Sequence, residues 1–230
     1  MIKAEKPMVE ERLVRIAAGQ TVLHGTLRLP EGARAIVLFA HGSGSGRHSP
    51  RNIHVARVLN EAQLATLLID LLNADEEAAD RYTAHLRFDI GLLTDRLVSA
   101  TDWLTETLHL PIGYFGASTG AAAALVAATR RPDMIGAVVS RGGRPDLAGP
   151  ALPRVRAPTL LIVGGNDVEV IELNRMVLPE LRCEKQLVIV PGAGHLFEEP
   201  GALDQVARLA REWFERHLIS AMRRRTGTGK

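Results

Sequence analysis

Apolar and polar residues follow one another along this chain with two different periods. Residues 12–17 and 21–29 alternate in part around Ala18-Gly19-Gln20, which predicts a hairpin of two half-buried antiparallel strands ending at Pro30-Glu31-Gly32. Six later segments, 35–40, 65–70, 111–115, 134–140, 159–163 and 186–190, are almost continuously apolar, as strands buried on both faces are. Between them apolar residues fall at helical spacing. Val55, Val58, Leu59 and Ala62 mark one helix, and Ile90, Leu93, Leu97, Ala100 and Leu104 mark another within 88–109. Further helices are expected at 118–130, 169–181 and 200–218. The acid-rich stretch 72–87 reads as a surface excursion with some helix, and 141–158, rich in Gly, Arg and Pro, as a plain connection.

Strands alternating with helices predict an α/β protein with a mostly parallel central sheet, helices on both faces and an antiparallel N-terminal hairpin at one edge. One domain, 12–219, is expected, with a charged lead-in at 1–11 and a basic tail at 220–230 read as disordered. In such sheets ligands bind beyond the carboxyl ends of the strands. The loops that begin at His41, Asp70, Gly116, Arg141, Gly164 and Pro191 should therefore meet on one rim.

That rim carries an ordered set of chemical groups. Gly116-x-Ser118-x-Gly120 has the pattern of a nucleophile elbow, a sharp strand-to-helix turn that leaves a serine hydroxyl exposed. A serine needs a base, usually a histidine oriented by a carboxylate, and this fold presents them in the order Ser, Asp or Glu, His. Asp167 and His195 follow two later strands in that order. An oxyanion needs two backbone donors. The amide of Thr119, next to the nucleophile, is one, and that of Ser43 in His41-Gly42-Ser43 is the other. Each residue also has a plainer reading. Ser118 and Asp167 could be helix N-caps, Asp70 or Glu169 could replace Asp167, and His41 reads as a brace for its own loop. Arg47, Arg51, Arg141 and Arg144 lie near the rim. Arg47 and Arg141 could bind a substrate carboxylate, or the arginines could form structural bridges to acids such as Asp70 and Asp146.

Composition narrows the alternatives. With 230 residues and 46% hydrophobic content the chain can bury a substantial core, and 28 basic against 26 acidic residues leave no concentrated basic field for nucleic acid. The histidines at 24, 48, 54, 85, 109 and 217 share no metal-ligand spacing, so neither a metal nor a cofactor is expected. The loop at 42–46 lacks the Gly-Lys-Ser/Thr of a phosphate-binding loop. The single cysteine, Cys183, excludes an internal disulfide framework and suits a cytoplasmic location. The charged start has no apolar core of a secretory signal, and the longest apolar run, 121–128, is too short to span a membrane. Oligomeric state is not legible.

His41-Gly42-Ser43-Gly44 after an apolar strand, Gly116-Ala117-Ser118-Thr119-Gly120, Gly165-Asn166-Asp167 and Gly194-His195 together resemble the α/β-hydrolase superfamily, and within it the dienelactone hydrolase-like family. The similarity extends over about 14–218. Founding members carry a cysteine at the elbow and a glutamate in the oxyanion loop, where this chain has Ser118 and Ser43. The resemblance therefore implies a serine hydrolase of carboxylic esters, lactones or thioesters of small acyl groups, with the cyclic dienelactone activity itself in doubt. An acyltransferase on the same triad and a catalytically silent ligand- or partner-binding member are the rival readings. Only 141–158 separates the strands between which larger relatives insert a lid domain, so no lid domain is expected.

Overall fold

The structure, a computed structural model, describes residues 8–219. Eight strands form one sheet: β1 (Val9–Ala18), β2 (Thr21–Pro30), β3 (Ala35–Ala40), β4 (Leu64–Ile69), β5 (Ile112–Ala117), β6 (Ile135–Arg141), β7 (Thr159–Gly164) and β8 (Lys185–Val190). Their order is β1-β2-β4-β3-β5-β6-β7-β8. The hairpin β1-β2 is antiparallel and joins β4 antiparallel through pairs such as Leu27↔Leu67, and every pairing from β4 to β8 is parallel. The hairpin begins earlier than the alternation predicts, because Val9, Glu10 and Glu11 of the expected lead-in pair with Pro30, Leu29 and Arg28. The tail at 220–230 lies outside the described residues.

Strands β3, β4, β5 and β7 are buried along their whole length. Six helices cover them: α1 (Pro50–Glu61), α2 (Ala74–Thr83), α3 (Ile90–Leu108), α4 (Thr119–Arg130), α5 (Val168–Val177) and α6 (Ala202–Phe214). Alternate strand residues feed two cores. Leu38, Tyr114 and Val138 pack with Leu97 and Leu104 of α3 and the alanines of α4. Phe39, Phe115 and Val139 pack on the other face with Val55 and Leu59 of α1 and Val206 and Phe214 of α6. Burial of these side chains on both faces supplies the main driving force for the fold.

Two segments differ from the sequence expectation. The connection 141–158 contains the 3-10 segment Pro145–Arg154, in which Ala148 and Leu152 are buried against the α3/α4 core. Pro150 and Pro153 interrupt the regular spacing that would have announced it. The C-terminal helix ends at Phe214 and continues as a π turn, Glu215–Ile219, whose Leu218 stays buried. No lid domain rises between β6 and β7. The excursion after β4 is α2 followed by the 3-10 turn Leu86–Phe88, and it is tied down from below. Arg96 of α3 donates to the Leu71 carbonyl at 2.8 Å and makes a bidentate pair with Glu76 at 2.6 Å.

Candidate active site

The parallel strands bring their carboxyl ends to one edge, and Ser118 stands there at the end of β5. Its backbone is held at φ 50°, ψ −123°, a conformation rare for a residue with a side chain. Close packing enforces it. A Cβ at Gly120 would fall 2.3 Å from the Ala40 carbonyl oxygen, and one at Gly116 would fall 2.5 Å from Ala121 Cα. The turn thus passes through a gap that only glycines fit. Ser118 is partly exposed and occupies the N-cap position of α4, but its side chain makes no capping hydrogen bond.

Asp167 and His195 meet directly. His195 Nδ1 donates to Asp167 Oδ2 at 2.6 Å, and Asp167 likewise makes no side-chain cap to α5. Their loops are joined by backbone and side-chain bonds: Gly165 N–H to Val190 O at 2.8 Å, Asn166 N–H to Ala193 O at 2.9 Å, and Asn166 Nδ2 to Gly192 O at 2.8 Å. The acids that could have replaced Asp167 are elsewhere: Asp70 is bonded to Arg47, and Glu169 is exposed on the first turn of α5.

The end of β6 joins this pair to the elbow. Ser118 N–H donates to the Arg141 carbonyl at 3.4 Å, and Arg144 N–H donates to the Ser118 carbonyl at 3.1 Å. Gly142, at φ 50°, lies between them. A Cβ there would stand 3.1 Å from the His195 carbonyl and 3.5 Å from Nδ1 and Cε1 of its ring. The Gly143 carbonyl is held in turn by the buried Asn174 Nδ2 at 3.0 Å.

On the other side of the elbow, Ser43 and Thr119 come together, with Oγ and Oγ1 3.4 Å apart. Neither backbone amide of the two donates to an acceptor among the described residues, and the first amides of a helix such as α4 have no partner within it. A Cβ on Gly42 would lie 2.8 Å from Ser118 Cβ, so the Ser43 loop runs tight against the serine. His41 holds that loop. It is buried, its Nδ1–H donates to Gly42 O at 2.9 Å, and its Nε2 accepts from Leu71 N–H at 2.8 Å. Both ring nitrogens are used, and burial pushes the imidazole pKa below its ordinary range against the smaller opposing effects of the Gly42 bond and the Asp70 and Glu77 charges. Beyond Ser43 and Thr119 opens a cavity of about 170 Å³, walled by Leu72 and Leu93 and by Asp80 and Arg87 of the α2 excursion.

The rim arginines divide. Arg47 pairs with Asp70 through its guanidinium and, at 2.8 Å, through its amide. Arg144 makes a bidentate bridge to Asp146 at 2.9 and 2.7 Å, and Arg51 reaches Glu198 at 3.1 Å. Those three are in the bridging arrangement that was the alternative to substrate binding. Arg141 is buried, its Nε and Nη1 have no hydrogen-bond partner, and its guanidinium carbon lies 6.0 Å from the centre of the Phe197 ring. Burial, with the nearby Arg51 charge, pushes its pKa down to about 10.

Sequence reading gave Asn166 no role beyond its motif and missed Asn174 and Arg96; all three position the site from outside it. A single polar residue among apolar helix positions, as Arg96 is beside Leu93 and Leu97, was the one available signal. Among the described residues no cluster of three or more His, Cys, Asp or Glu could hold a metal ion, and no helix is long and apolar enough to cross a membrane.

No family model matches the chain. Two putative phosphoribosyl transferases of Mycobacterium tuberculosis strains are 55% identical over 218 residues, which is 94% of this chain and 48% of theirs, so the chain spans about half the length of these curated relatives. A crystal structure of a dienelactone hydrolase from Anabaena variabilis is 62% identical, with a TM-score of 0.89 over 91% of this chain and 99% of that one. Est1E from Butyrivibrio proteoclasticus, 16% identical, shares the fold with a TM-score of 0.75 over 89% of this chain and 98% of its own. With the α/β-hydrolase sheet in place and that identity extending across nearly the whole domain, the chain belongs to the dienelactone hydrolase family of the α/β-hydrolases.

Proposed function

We propose that the protein is a serine hydrolase that cleaves esters, lactones or thioesters of small acyl groups through an acyl-enzyme. The observation that carries this reading is the 2.6 Å bond from His195 Nδ1 to Asp167. It commits the Nδ1 proton to the carboxylate and leaves Nε2 as the basic nitrogen, on a ring that lies against Gly142, whose neighbours Arg141 and Arg144 bond the backbone of Ser118. Ser118 Oγ attacks the substrate carbonyl as Nε2 accepts its proton, and the oxyanion forms between the amides of Ser43 and Thr119. Collapse breaks the bond to the leaving group, which takes the proton back from Nε2. Water then repeats the sequence in reverse and frees the acid and the serine. The amide end of α4 faces the developing anion and lowers its energy further.

The similar dienelactone hydrolase structure agrees with hydrolysis of an ester bond. The name of the mycobacterial relatives attaches to chains about twice this length, whereas the groups gathered here suit acyl transfer to water. The cavity beside the two amides is walled in part by Leu72 and Leu93, which suits an apolar acyl group.

The test is a serine-directed fluorophosphonate followed by intact-mass analysis and peptide mapping, together with turnover of short esters, lactones and thioesters. One adduct on Ser118, lost in Ser118→Ala along with turnover, is expected. A protein with neither adduct nor turnover is not a serine hydrolase.

A further inference from the structure

A guanidinium taken out of water costs free energy unless an anion offsets it. Arg141 is 8% exposed, has no acidic partner among the described residues, and stands beside a second cation, Arg51, that opposes it. The other three rim arginines each hold a carboxylate. A second, independent feature marks the same place. Phe197, fully buried with its ring near the Arg141 guanidinium, has φ 56°, a backbone conformation disfavoured for a bulky residue. Strain at Phe197 and an uncompensated charge at Arg141 are two costs at one point, two residues beyond His195.

The location specifies which half of a substrate would be met. Ser43, Thr119 and the cavity of about 170 Å³ lie on the α2 side of Ser118. Arg141 directly precedes Gly142, which packs on the His195 ring. In an acyl transfer the histidine hands its proton to the departing oxygen, so groups around it face the leaving group. We propose that Arg141 is an anion subsite for the leaving-group half of the substrate. The favoured substrate is then an ester of a small neutral acid with an alcohol that carries a carboxylate or a phosphate. The anion reaches the guanidinium through its remaining exposed edge and supplies the charge that the protein withholds.

This inference rests on the hydrolase reading above, and its test separates the two. Three acetyl esters differ only in the alcohol: 4-acetoxybenzamide, 4-acetoxybenzoate and 4-acetoxyphenyl phosphate. The expected result is a kcat/KM for at least one anionic ester about tenfold or more above the benzamide, with the better of the two identifying the anion. That ratio should fall towards one in Arg141→Met and lie between in Arg141→Lys, which keeps the charge without the planar fork. Replacing an uncompensated buried charge by an apolar side chain leaves the melting temperature equal or higher, whereas a purely structural arginine would lower it. In parallel, calorimetry on Ser118→Ala with 4-hydroxybenzoate and phenyl phosphate is expected to show binding that a further Arg141→Met removes. Ester turnover with a charge-independent ratio overturns the subsite and leaves the hydrolase. Arg141-dependent binding without any turnover overturns the hydrolase and leaves the subsite. No preference and no binding, or a preference equal in wild type and Arg141→Met, ends the proposal.

Discussion

Asp167 and His195, twenty-eight residues apart in the chain, are joined by a 2.6 Å bond from imidazole Nδ1 to carboxylate Oδ2. The carboxylate is mostly shielded and the imidazole is half open to solvent, with side-chain exposures of 14% and 42%. One partner is thereby held and the other left reachable. Asp167→Asn keeps the shape but offers the ring an amide donor in place of an acceptor, so the tautomer with a basic Nε2 loses its support. Ester kcat is expected to fall about 10³- to 10⁴-fold with an unchanged circular dichroism spectrum. Steady-state kinetics on a short ester checks it.

Among the described residues the amides of Ser43 and Thr119 have no acceptor of their own. If the Ser43 amide binds the oxyanion, removing the N–H should matter far more than removing the hydroxyl. Ser43→Pro is expected to lower kcat/KM by about 10²- to 10³-fold relative to Ser43→Ala. Equal rates in the two variants would move the oxyanion contact elsewhere.

Packing at the elbow leaves no room for a methyl group. In Gly120→Ala the new carbon would sit 2.3 Å from Ala40 O and 2.4 Å from His41 O, both backbone atoms that cannot swing away. A destabilisation of about 3 kcal/mol or more is expected, read as a drop in melting temperature of roughly 6–12 °C for a domain of this size.

His41 makes stability depend on pH. The folded protein holds it neutral, with a pKa below the ordinary 6.5, while the unfolded chain takes up a proton near 6.5. The unfolded state thus binds more protons as pH falls below 6.5, and stability declines until the folded-state pKa is passed. This residue should add up to about 1.4 kcal/mol per pH unit to that slope. Urea unfolding of His41→Gln between pH 4.5 and 7.5 should give a flatter profile than wild type.

Tyr114 is buried in the α3/α4 core, with its hydroxyl 2.5 Å from Thr101 Oγ1, and burial raises its pKa so that it stays protonated. Thr101 keeps a second bond, to Leu97 O at 2.7 Å. Tyr114→Phe therefore orphans no group, and a loss of about 1 kcal/mol in unfolding free energy is expected, measured by denaturant titration.

Much of this protein is written locally. The unbroken apolar strands, the helices between them and the glycines of the elbow are short-range patterns, and the α/β sheet with its antiparallel hairpin follows from them. The order Ser118, Asp167, His195 after β5, β7 and β8 is legible for the same reason. What the sequence could not settle was which partner each charged group takes, because the partners lie far apart in the chain. Asp70, a candidate for His195, is held by Arg47 from the loop after β3, and Glu169 faces solvent. Arg47, Arg51, Arg141 and Arg144 look alike in a row of letters, and only the packed structure pairs three of them and leaves Arg141 enclosed above Phe197 without an acid. Arg96 and Asn174 likewise bond to distant main-chain carbonyls, which no spacing announces. Local sterics and hydrophobic period determine the frame, whereas the pairing of buried charge depends on three-dimensional neighbours and is decided only when the chain has closed on itself.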